Sequence, residues 1–268
     1  MKEKLLVHIF PQTWPMGCKE TKKETDKWNG HTMDVDACQV SELLKGRENG
    51  HAEIKVIYNR KKNEILEILQ ENWKGYDAFM FVFLTYLHNQ IGQKEASIEC
   101  FDEAISVAEI LETVKNNRAF VDKDKILIVQ ADDLQLLPDK LAIKGPTPMP
   151  EPKLIPTDAD ILLIFSSIPQ KPTAVGWKDE KQEPDKSGSS QEDIKQSPSM
   201  FIKAFVDVQK APTTAQEDLL TNTTWMNGKV NKMIECLKKK DVRYKYVDLP
   251  LPLVTSTLRK LFYVNAYT

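Results

Sequence analysis

Two adjacent acids, Asp132 and Asp133, close an apolar run, and a histidine, His88, closes another such run 44 residues earlier. A carboxylate and an imidazole at strand ends are material for general acid–base chemistry. A carboxylate with a reference pKa of about 3.9 is nonetheless a poor nucleophile toward an amide, whereas a thiolate is a good one. The four cysteines, Cys18, Cys38, Cys100 and Cys236, are widely scattered and form no CxxC pair or Cys/His cluster of metal-ligand spacing. They predict reduced thiols and no metal. Cys38 and Cys100 fall on the apolar faces of predicted helices, the place of buried structural thiols. Lys238–Lys240 reads as a solvated helix end, and Trp177 and Trp225 as packing or groove-lining residues, so no cofactor is expected.

The elements that must position these residues follow from hydrophobic patterning. Short apolar, β-branched or aromatic runs recur at Leu5–Phe10, Ile54–Tyr58, Phe79–Leu84, Ile126–Val129, Ile161–Ser166 and Leu253–Leu258, which predict six buried strands. Between them, helical spacing predicts helices over Asp34–Leu44, Lys61–Trp73 and Phe101–Val114, with Met200–Val208 and Glu217–Leu237 in the second half. Alternating strands and helices predict an α/β layer fold with a mostly parallel sheet. Prolines 146, 148, 150, 152 and 156 exclude helix and interior strand, so the chain divides into a larger part at 1–140, a linker at 141–156 and a smaller part at 157–268. Residues 178–198, rich in charge, Ser and Pro, predict a mobile surface loop within the smaller part.

At 268 residues and 41% hydrophobic content the chain can bury a sizeable core. A net charge of -2 leaves no basic surplus to hold phosphates, which argues against nucleic-acid binding and for protein partners. The first apolar run is too short to cross a membrane and no cleavage site follows it, so a cytoplasmic location without membrane association is expected.

Four motifs in order carry a resemblance. Met33-Asp34-Val35-Asp36-Ala37 opens the first helix; Gln130-Ala131-Asp132-Asp133 ends the fourth strand. Ala159-Asp160-Ile161-Leu162-Leu163 with Phe165–Pro169 and Gly176-Trp177-Lys178 follows, and Pro252–Tyr263 closes the chain. Together they resemble the caspase family, whose strand ends in Q-A-C-R-G, and within it the catalytically inactive homologues known in insects. The resemblance implies a caspase-like three-layer sandwich with a six-stranded, mostly parallel sheet between helices. With almost nothing before the first strand, it also implies the executioner-type layout without a recruitment prodomain.

Its chemistry needs a thiolate, a histidine, an oxyanion hole and a pocket of two arginines and a glutamine for the substrate aspartate. Here Asp132 stands in place of the cysteine, a loss on the order of a millionfold in turnover where such a nucleophile is removed. Asp133 and Leu134 replace the Arg and Gly that follow. The histidine position falls on His88 in one alignment, with Asn89 replacing the oxyanion glycine, and on Tyr86 in another. The pocket arginines are replaced by Gly30 and Lys178, and only Gln130 remains. The last strand, Leu253, Val254, Thr255, Ser256 and Thr257, corresponds to the edge that pairs sheets across the family's dimer axis. The resemblance therefore implies a non-catalytic homologue that heterodimerises with an active caspase paralogue and regulates it in apoptosis, as activator or inhibitor; a homodimer is also open to it. The alternative from another class is an enzyme with residual or altered, cysteine-independent hydrolase chemistry. The linker carries no D-x-x-D processing motif, although Asp158 and Asp160 lie beside it.

Overall fold

The structure is a computed structural model that describes residues 3–13, 16, 32–45, 51–88, 95–136, 160–169 and 198–267. Strands β1 (Leu5–Pro11), β2 (Ala52–Val56), β3 (Ala78–His88), β6 (Asp124–Asp132), β7 (Ile161–Ser166) and β8 (Leu253–Ser256) form one sheet in the order β2-β1-β3-β6-β7-β8. Every neighbouring pair is parallel except β7 with β8. Strands β4 (Ser97–Glu99) and β5 (Ala104–Ser106) add an antiparallel ribbon to the C-terminal end of β3. The six runs foreseen from patterning are the six strands of the main path, and the ribbon is additional.

Helices cover both faces, which is why the central strands read as unbroken apolar runs instead of alternating ones. On one face α1 (Thr32–Lys45), α4 (Met200–Lys210) and α5 (Leu219–Lys240) pack Met33, Val40, Phe201, Phe205, Val230 and Ile234 against alternate residues of the sheet, Val7, Val82, Ile126, Ile128 and Ile164. On the other, α2 (Lys62–Gln70) and α3 (Val107–Asn116) pack Ile65, Leu69, Ile110 and Val114 against Leu6, Phe79, Phe81, Phe83 and Phe165. Helix starts are fixed by side-chain caps: Ser106 accepts from the Glu109 N–H at 3.0 Å, and Ser199 and Asp218 do the same for α4 and α5. Each such cap stabilises by roughly 1 kcal/mol.

The expected helix over Phe101–Val114 starts six residues later, at Val107. Phe101, Ile105, Ala108 and Leu111 have helical spacing, but the Cys100 N–H donates to the Glu103 carbonyl and closes a tight turn, so Ile105 pairs with Ile98 in the ribbon and Phe101 is exposed. Cys100 is buried as expected, though in that turn and not on a helix. Cys38 corrects the sequence reading. It lies on the solvent side of α1, exposed, and donates to Glu42 at 3.3 Å, because Met33, Ala37, Val40 and Leu44 take the inward stripe. Helix α2 ends at Gln70, and Trp73 folds back to donate from Nε1 to the Ile68 carbonyl. Trp225 is exposed on α5. The linker at 141–156, all but Pro198 of the loop at 178–198, and Cys18 and Trp177 lie outside the described residues.

Candidate functional site

In a parallel α/β sheet, sites form beyond the carboxyl ends of the strands, where the loops to the next elements leave. Strands β3, β6 and β7 end side by side, with Tyr86 opposite Asp132, and Gln130 between Leu84 and Ser166. The period of two puts Gln130 and Asp132 on the same face as Ile126 and Ile128, toward α1 and α4. Asp132 is thus buried at the mouth of the sheet.

Gln130 is wholly buried and its amide nitrogen donates twice, to Asp132 Oδ1 at 2.7 Å and to the Ile168 carbonyl at 2.8 Å. Gln130 Oε1 and the neighbouring Ser166 Oγ are buried without a hydrogen-bond partner among the described residues. Asp133 turns the chain: its N–H donates to the Ser167 carbonyl, and its carboxylate accepts from the Gln135 N–H at 2.9 Å.

Asp36, on the first turns of α1, is also buried here, and Oδ1 accepts the Ser199 N–H at 2.7 Å. Burial pushes its pKa up to about 8; the hydrogen bonds from Ser199 oppose this and the like charge of Asp132 adds to it. This one hydrogen bond ties the start of α1 to the N-cap of α4, 163 residues away, beside the strand end that carries Asp132.

The two residues competing for the histidine position are separated. Tyr86 sits beside Asp132 and donates from its hydroxyl to the Thr13 carbonyl at 3.2 Å. His88 is two residues further, paired with Ser97 in the ribbon, with Nδ1 3.6 Å from Glu99 Oε1. Glu99 also accepts from the Met16 N–H at 2.6 Å, and its carbonyl accepts from Thr85 Oγ1 at 2.6 Å. Asn89, Gly30 and Lys178 lie outside the described residues. Burial pushes the Cys100 thiol up to about 12, and the hydrogen bond to Glu42 raises that of Cys38. Among the described residues no group of three or more His, Cys, Asp or Glu is placed to hold a metal ion, and no helix is long and apolar enough to cross a membrane.

Away from this site, β8 is the outer strand of the sheet, with Leu253, Val254, Thr255 and Ser256 exposed or half-buried. Thr257 continues the pairing: its N–H donates to the Ile161 carbonyl and its carbonyl accepts from the Asp160 N–H. Asp160, in a left-handed conformation at φ 68°, is clamped by Arg259 through Nε at 2.9 Å and an η nitrogen at 2.6 Å. That pairing holds its carboxyl below the usual carboxylate range. Sequence reasoning did not single out Asp36, Ser199 or Arg259 as partners. The one local signal was an acid, Asp36, within the apolar stripe of a helix.

Comparison with known proteins matches residues 26–263 to the caspase domain family. Among solved structures the chain is similar to pro-Sf-caspase-1 (19% identity, 98% of this chain and 91% of that one, TM-score 0.64). It is similarly close to caspase-1 from Spodoptera frugiperda (20% identity, 98% and 90%, TM-score 0.62). No curated protein matches it. With the caspase model spanning nearly the whole chain, and the strand order and strand-end site as described, the chain belongs to the caspase family.

Proposed function

We propose that this protein is a non-catalytic caspase homologue of the kind known in insects, which works in the cytoplasm by heterodimerising with an active caspase paralogue in apoptosis and changing its activity. The observation that carries the reading is Asp132 at the end of β6, in the position that the Q-A-C-R-G motif gives to the nucleophile. A buried carboxylate already engaged by Gln130 is neither a thiolate nor free to attack. Neither described cysteine with a shifted pKa is activated, since both shifts run upward, away from thiolate. That weighs against residual hydrolase chemistry, as does the placement of His88 against Glu99, beyond Tyr86.

Strand β8 is the surface proposed for the partner. It is short, uncovered at its outer edge among the described residues, and lined by Leu253, Val254, Thr255 and Ser256, so a second caspase-type β8 can add to it by main-chain hydrogen bonds. If the partner's loops are ordered by the added subunit the effect is activation; unproductive occupation of the edge gives inhibition. Titrating the purified protein into an active caspase of the same organism, while following cleavage of an aspartyl peptide, tests this. A saturable rise or fall is expected, and a flat line at saturating concentration rejects heterodimer regulation of that partner. The protein alone should not cleave the peptide.

A further inference from the structure

We infer that the end of β6 is a carboxylate cradle which the chain fills from within, Asp132 serving as the internal ligand of Gln130. A primary amide has two hydrogens, and here both are committed: one to Asp132 Oδ1 and one to the Ile168 carbonyl. The Ile168 bond fixes the orientation of the amide, so the second N–H points at one place only, and the Asp132 carboxylate fills it. What remains beside it are Gln130 Oε1, an acceptor, and the Ser166 hydroxyl, which can donate or accept, both buried and unpartnered among the described residues. An incoming carboxylate meets no free amide hydrogen there and faces like charge instead. Asp36, which feels the like charge of Asp132, has its pKa pushed up to about 8 chiefly by burial, so it adds no second anion to this end of the sheet at mildly acidic pH.

This role deepens the regulatory reading and rests on it for its meaning: the same residue that leaves no nucleophile also makes the homologue blind to carboxylate-bearing peptides. A partner subunit would then gain a dimer mate that does not compete for its substrate.

Removing the internal ligand should create a site for an external one of the same chemistry. The test is thermal unfolding of the full chain at pH 6 in increasing sodium formate, with sodium chloride at matched ionic strength as the reference. Asp132→Ala should gain about 3–5 °C over its chloride reference once formate is tenfold above its dissociation constant. The wild type, Asp132→Asn, which keeps an oxygen for the amide, and the double variant Asp132→Ala/Gln130→Leu should not respond. A formate response in Asp132→Ala no larger than in the wild type, or one retained in the double variant, overturns the proposal. A second measurement needs no Asp132 variant. In the wild-type protein the Gln130 side-chain amide protons, assigned by their loss in Gln130→Glu, should exchange with solvent at least about 100-fold more slowly than those of exposed glutamines. Exchange at the exposed rate overturns it as well. Neither readout involves a partner caspase, so a failure here leaves the heterodimer titration standing, and a flat titration leaves the cradle standing.

Discussion

Two buried titratable side chains respond to pH in opposite directions, each for a stated physical cause. Asp36 has a folded pKa raised from 3.8 to about 8, chiefly by burial. The unfolded chain releases that proton near pH 4 while the folded one keeps it, so the stabilisation is complete below pH 4 and is lost as pH rises toward 8. Asp36→Asn keeps an oxygen for the Ser199 N–H and removes the titration. Its urea-unfolding free energy should be flatter than the wild type's between pH 5 and 8, and higher at pH 8. His8 is wholly buried among Phe10, Phe81 and Trp73, with neither ring nitrogen hydrogen-bonded among the described residues. Burial and, secondarily, Lys55 lower its pKa from 6.5 to about 4, against a weaker opposing pull from Glu53. Here the unfolded chain takes up the proton first, so stability falls as pH drops from 6.5 toward 4, by up to about 3 kcal/mol. His8→Leu should abolish that acid limb in the same measurement. An unchanged slope in either variant would place the titration elsewhere.

Strand β8 depends on a clamp at its far end. The Asp160 carboxyl is buried and held by two of the three Arg259 guanidinium nitrogens, while its backbone sits in the left-handed region that a non-glycine residue adopts at some cost. Arg259→Ala leaves that carboxyl without its cation and should lower Tm by about 3 °C or more, with the greatest loss of amide-exchange protection at Thr257 and Ile161. The bond following Asp160 lies at the start of β7 within the sheet, so Asp160 should resist an aspartate-specific protease in the wild type. The outer edge of β8 answers to a different variant. Because the Thr257 N–H points inward to Ile161, alternation along an antiparallel pair turns the Val254 N–H outward. Val254→Pro removes an edge donor without touching the bonds to β7. It should abolish the effect on the partner caspase at concentrations where the wild type saturates, and retained activity would move the interface away from β8.

At the scale of the whole molecule, the larger and smaller parts are joined by much more than the segment between them. The β6–β7 ladder pairs Lys125–Gln130 with Ile161–Ser166, Asp36 binds the Ser199 N–H, and the Tyr244 hydroxyl donates to the Leu136 carbonyl at 3.0 Å. The apolar layer that includes α1, α4 and α5 is continuous across both parts. Cutting the chain anywhere between 141 and 156 should therefore give two pieces that co-elute in gel filtration and separate only in denaturant. Separation under native conditions would contradict the continuous core.

The sequence by itself determined the layer architecture. Strands buried on both faces have to be continuous apolar runs, and six such runs separated by helical spacing leave few arrangements. Asp132, Gln130 and the β8 run were also legible, because a motif is local in the chain. Where two periods competed the sequence was ambiguous: Phe101–Val114 fits a helix by spacing, and only the turn at Cys100 and the pairing of Ile98 with Ile105 made its first residues a ribbon. Cys38 likewise depended on which side of α1 the sheet took. Tertiary structure alone decided that Asp36 meets Ser199, that Tyr86 and not His88 flanks Asp132, and that Arg259 closes on Asp160. Those contacts join residues up to 163 positions apart, and hydrogen bonds over such separations leave no periodicity to read.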